Sequence, residues 1–194
     1  MLILDRDVLP TNSSYTDADV AYVLIYLNSR SHVSRSELSN YLCIGEGSFR
    51  GLLSIMVDAG LVGIHRKGVY MMENGRKMYL KMGIRPVDID VGFTLGTYNQ
   101  GIKVFAAAGK IGDGMEQVKI STAYGGVGCT TWVMKNNWIY MPPHWEFSRS
   151  NVDASEKIMD EADMHNGDVF LMCGAESPRA ARVAAMMVAL DLVG

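Results

Sequence analysis

The sequence predicts an α+β fold in two parts. Three observations carry this expectation. Segments near the N-terminus repeat apolar residues at helical spacing. "VDIDVGFTL" (87–95) alternates apolar and polar residues, as a half-buried strand does. "VFLMC" (169–173) is a short continuous apolar run, as in the middle of a sheet. Apolar residues make up 48% of the 194 residues, enough to build a proper core.

The first helix lies in "YTDADVAYVLIYLNSR". Thr16 and Asp19 have capping-box spacing, and Asp17 and Asp19 suit the positive end of a helix dipole. Val20, Val23, Leu24 and Leu27 form one face, yet Ala21, Tyr22, Ile25 and Tyr26 make much of the rest apolar too. A helix apolar nearly all round must bury two faces, which predicts a homodimer or a contact with the second part. The second helix starts at "SRSELSNYL", with Ser34 and Glu37 as a capping box.

The third helix is "GEGSFRGLLSIMVDAGLV" (45–62). Phe49, Leu52, Leu53 and Met56 make its buried stripe; Gly47, Arg50, Gly51, Ser54 and Asp58 lie opposite. Small residues on an outer face mean close approach by nucleic acid or by protein. Leu61–His65 and Val69–Met72 read as strands joined by Arg66-Lys67-Gly68, and "ENGRKMYLKMG" as a short basic helix.

"GIRPVD" reads as a linker, giving domains at 1–83 and 84–194. Beyond it the expected order is β-β-α-β-β-α-β-α with a mostly antiparallel sheet. The strands are 87–95 and Ile102–Ala108, then a helix in "GDGMEQVKISTAYGG" and a hairpin turning at Asn136-Asn137. An acidic helix in "DASEKIMDEADMHNGD" and the strand 169–173 follow. The last helix is capped by Ser177 with Pro178 at its first position.

Charge is uneven. Residues 1–85 hold ten Lys/Arg and eight Asp/Glu; residues 86–194 hold eight and thirteen. This hints at two parts with different partners. Cys43, Cys129 and Cys173 have no metal-ligand spacing and fit a reducing cytoplasm. "MLILDRDVLP" is too short an apolar run for a secretory signal, and no stretch approaches a membrane span. The fourteen methionines read as flexible core filler.

Helix, helix, turn, helix and hairpin resemble the winged helix-turn-helix family. "SRSELSNYL" stands as support helix, "GEGSFRGLLSIMVDAGL" as recognition helix and "IHRKGVYM" as wing. The run "GEGSFRGLL…AGLV" is similar to a pattern in archaeal and bacterial transcription regulators. The resemblance implies docking on double-stranded DNA, with Ser48, Arg50, Gly51 and Ser54 in the major groove and Arg66 and Lys67 on phosphates. Glu46 and Asp58 outnumber the single cation, Arg50, of the third helix, so a protein-interaction or scaffold role is the alternative.

The whole chain resembles a small archaeal family with an N-terminal winged helix and a C-terminal domain of unknown function. The residues that carry it are Gly114-Met115-Glu116-Gln117 and Gly125–Thr131, although Val118-Lys119 departs from that family's pattern. Glu116, Gln117, Thr130 and Thr131 are the candidate ligand-binding residues, and His144 beside Trp145 is a further pocket candidate.

No nucleotide loop, metalloprotease motif or nucleophile elbow is present. "CGAESPRAAR" is at most an anion site at a helix start, with Glu176 against it and Arg179 for it. The expectation is a cytoplasmic DNA-binding regulator that is not an enzyme and needs no cofactor or metal. Its C-terminal domain senses a small-molecule effector or mediates dimerisation. An enzyme bearing a winged-helix appendage is the more remote alternative.

Overall fold

A computed structural model describes residues 14–194; the N-terminal "MLILDRDVLP" lies outside them. The fold is mixed α+β with antiparallel sheets, in two compact units that meet in sequence at Met82 and Gly83.

In the first unit α1 (Asp17–Asn28) precedes α2 (Arg35–Leu42) and α3 (Glu46–Asp58). A hairpin of β1 (Val62–His65) and β2 (Gly68–Met71) follows, and α4 (Glu73–Met82) closes the unit. The capping box at Thr16 and Asp19 forms, whereas at α2 only the Ser34 half forms, because the Glu37 carboxylate accepts from the Tyr26 hydroxyl. The Thr16 amide donates to Asp19 Oδ2 at 2.8 Å, and the Ser34 hydroxyl accepts from the Glu37 amide at 3.1 Å. His65 pairs with Gly68, so Arg66 and Lys67 are the two residues of the turn. Val33, between α1 and α2, exchanges backbone hydrogen bonds with Val69 and ties the hairpin to the helices.

The first helix buries most of its circumference. Ala18, Val20, Ala21, Val23 and Leu24 are fully buried within the single chain, and α1 meets α2, α4 and β2. Ile25 and Tyr26 on the same helix are half-buried.

The second unit is built on one five-stranded sheet. Its strands are β3 (Ile84–Val87), β4 (Tyr98–Val104), β5 (Gly128–Lys135), β6 (Trp138–Tyr140) and β7 (Val169–Ala175). The spatial order is β3-β4-β7-β5-β6, antiparallel throughout, with the apolar β7 at the centre. Two helices cover one face: α5 (Met115–Ala123) lies on β5, and α8 (Pro178–Val193) on β4 and β7. The alanines of α8 permit this approach; Ala181, Ala184, Ala185 and Ala189 are fully buried. The other face carries Trp132, Met134, Phe170 and Met172. It is covered by Phe147 of α6 (Phe147–Ser150), Ile158 of α7 (Val152–Glu161) and the segment after β3.

That segment departs from expectation. The strand is Ile84–Val87, inside the stretch read as a linker, and residues 88–97 form no regular structure. The alternation still describes burial: Val87 and Ile89 are buried, and Val91 and Phe93 pack partly on the same core. The chain crosses the face of the sheet instead of joining its edge. The Thr130 hydroxyl donates to the Phe93 carbonyl, and a Cβ on Gly174 of β7 would stand 1.6 Å from the Leu95 carbonyl oxygen. Period-two burial requires an extended chain over a core; it does not require a ladder. The following strand accordingly starts at Tyr98, in the stretch read as a turn, and not at Ile102.

Candidate functional site

In the first unit Phe49, Leu52, Leu53 and Met56 are buried, and Gly47, Arg50 and Ser54 are exposed on the other side of α3. Two of the small residues belong to a protein contact. A Cβ on Gly51 would lie 3.2 Å from the Tyr15 hydroxyl, and Ser14 donates a hydrogen bond to the Ser48 hydroxyl. Among the described residues no atom lies within 4 Å of a Cβ built on Gly47. The outer face of α3 is therefore shared: its Ser48–Gly51 side holds the Ser14–Tyr15 segment, while Gly47, Arg50 and Ser54 face solvent.

A cleft of about 270 Å³ opens between α2 and α3, lined by Arg35, Ser36, Ser39, Glu46, Phe49 and Arg50. Arg35 is a residue that sequence reasoning missed. Its signal was the Ser34 cap, which puts Arg35 at the first position of α2 beside the start of α3. Arg66 and Lys67 are exposed at the hairpin tip. The His32 ring lies 5.8 Å from that of His65 and 5.6 Å from that of Tyr70, between centroids, at the base of this turn.

In the second unit two of the four candidate ligand residues, Thr130 and Thr131, share a cleft, and Glu116 and Gln117 are not among its lining. Glu116 is exposed and pairs with Lys119 at 3.4 Å. Gln117 is buried on α5 and its Oε1 has no hydrogen-bond partner. Thr130 and Thr131 are consecutive on β5 and point to opposite faces: Thr130 toward Phe93, Thr131 toward the side of α5. Thr130 and Thr131 nevertheless both line that cleft, of about 170 Å³, with Gly114 and Met115 at the start of α5 and Met141 and Pro142 beyond β6.

A neighbouring cleft of about 300 Å³ shares Pro142 and includes Lys135, Tyr140 and His144. Its signal lay in the hairpin. With Asn136 and Asn137 as the turn, Lys135 pairs with Trp138 and Val133 with Tyr140, so these side chains share a face.

Two buried polar arrangements belong to the scaffold. Lys103 on β4 is fully buried, with its ammonium 2.8 Å from Asp168 Oδ2, on the Asp163 carbonyl and 4.4 Å from the centroid of the Phe105 ring. Asp168 also accepts from the amides of Ala106 and His165. Cys129 faces Cys173 across β5 and β7; a hydrogen bond to Cys173 and burial push the Cys129 thiol well up. That direction disfavours a reactive thiolate.

The family model described as "Domain of unknown function (DUF4443)" matches residues 95–192, half of the chain, and the chain belongs to that family. No curated protein matches it. Among solved structures it is similar to a hypothetical protein, PH0730, from the archaeon Pyrococcus horikoshii OT3. The identity is 24% and the TM-score 0.70, over 92% of this chain and 93% of that one. The likeness extends the shared fold across both units.

Proposed function

We propose that this member of the DUF4443 family is a duplex-DNA-binding regulator of the winged helix-turn-helix type, with the first unit as its DNA-binding domain. The observation that carries the reading is the pairing of exposed Arg50 on α3 with Arg35 on α2 at one cleft, beside exposed Gly47 and Ser54. Arg50 would meet a guanine edge or a phosphate, Arg35 a phosphate at the start of α2, and Arg66 and Lys67 the backbone beside the groove. Ser48 and Gly51 support α3 through Ser14 and Tyr15, so the reading face narrows to Gly47, Arg50 and Ser54.

Glu46 lines the same cleft as the two arginines and lowers its net charge. Affinity on this reading is modest and strongly dependent on salt. Two copies would address a pseudo-palindromic site. The test is fluorescence anisotropy of a labelled random duplex at two salt concentrations, for the full chain and for Arg66→Ala/Lys67→Ala. Each lost phosphate contact lowers the slope of log K against log salt by roughly 0.9. An unchanged slope removes the wing from the interface.

A further inference from the structure

We propose that the cleft beside the β5–β6 hairpin binds a small organic anion: a carboxylate or phosphate group attached to a compact apolar body. The site is distinct from the surface assigned to DNA and does not rest on it.

Three polar residues from separate places line the cleft. Lys135 comes from the end of β5, Tyr140 from β6 and His144 from the loop after Pro143. Val133 and Tyr140 are direct cross-strand partners, and Lys135 lies two residues along β5 from Val133. The hairpin register thus places ammonium and phenol on one face of the sheet. Among the described residues no side-chain hydrogen bond or ion pair engages Lys135, Tyr140 or His144, and no carboxylate lines the cleft. An ammonium, a phenolic O–H and an imidazole N–H left unengaged around a concave space form a donor set for an anion.

The remaining lining sets the shape of the guest. Ile111, Val133, Pro142 and Pro143 are apolar, so the body of the ligand has hydrocarbon to rest on. The volume, about 300 Å³, is at the lower end of the range for small-molecule pockets. The adjoining cleft across Pro142 is lined by Asp113 with Met115 and Met141, so negative charge is disfavoured on that side. This contrast orients the ligand: its anionic group lies toward Lys135 and His144, and its apolar end toward Pro142.

The probes are benzoate, inorganic phosphate and benzamide, which has the shape of benzoate without its charge. Each is titrated into the full chain and followed by calorimetry and by tryptophan fluorescence, since exposed Trp145 adjoins His144. Saturable binding of benzoate with at least tenfold weaker binding of benzamide is expected. Lys135→Gln and His144→Gln, both at exposed positions, should each weaken benzoate binding at least tenfold with the melting temperature of the free protein unchanged. Phosphate binding with the same dependence on both residues, but without benzoate binding, would support the anion subsite and reject the apolar part. Binding of benzamide equal to that of benzoate, binding that ignores both substitutions, or no saturable binding of either anion would overturn the proposal.

Discussion

The phenol of Tyr15 rests on Gly51 of α3, so close that a methyl group on Gly51 would stand 3.2 Å from the Tyr15 oxygen. The next residue back, Arg50, is exposed. One step along the helix thus separates a protein contact from the proposed DNA contact. Gly51→Ala gains helix propensity of about 1 kcal/mol and gives some of it back against Tyr15. Its unfolding midpoint and DNA affinity should stay near those of the parent, while Arg50→Ala should lose about 1–3 kcal/mol of binding. Parallel urea melts and anisotropy titrations separate the two. A large affinity loss in Gly51→Ala with stability intact would put Gly51 at the DNA instead.

Gly174 is the most constrained glycine of the sheet, since a Cβ there collides with the Leu95 carbonyl. Gly174→Ala must displace the segment that covers the Trp132–Phe170 core. The expected cost is at or above about 3 kcal/mol, the upper end of ordinary overpacking. Chemical denaturation measures it, and a loss below 1 kcal/mol, roughly the smallest overpacking cost, would mean that the segment yields easily.

Lys103 and Asp168 form a buried pair, and removing either partner leaves a buried charge. Lys103→Met or Asp168→Asn should each cost about 3–5 kcal/mol. Burial alone would raise the Asp168 carboxyl. Its hydrogen bonds to Lys103, Ala106 and His165 and the Lys103 charge outweigh burial and hold it below the ordinary range. A carboxyl depressed in the fold contributes stability above its unfolded pKa of about 3.9, and that contribution is lost as pH falls through the folded value. The stability gap between the parent and Asp168→Asn should therefore be constant from neutral pH to about 4 and shrink below it. A gap that shrinks already between pH 7 and 5 would contradict this.

What the sequence disclosed is what local chemistry decides. Ser34 with Glu37 starts α2, Ser177 with Pro178 starts α8, Asn136-Asn137 turns the β5–β6 hairpin, and the apolar run at 169–173 is the central strand. Where the sequence misled, the deciding partner is distant in the chain. Val87 to Phe93 alternates because one side meets the Phe147–Trp132 core, and nothing local reveals that the segment crosses the sheet. Thr130 and Thr131 look like a pair in sequence, yet the pleat sends them to opposite faces. Glycine on the outer face of α3 announced close contact, but only the fold identifies Tyr15 as the neighbour.

In the proposed function the Arg35–Arg50 cleft and the Arg66–Lys67 tip would hold duplex DNA. The most direct measurement is selection of genomic duplex fragments by the full chain at two salt concentrations, repeated with Arg50→Ala. Enrichment of a palindromic site that fades at the higher salt and is lost in the variant is expected. Absence of enrichment even at low salt, or an identical enriched site with Arg50→Ala, would contradict it.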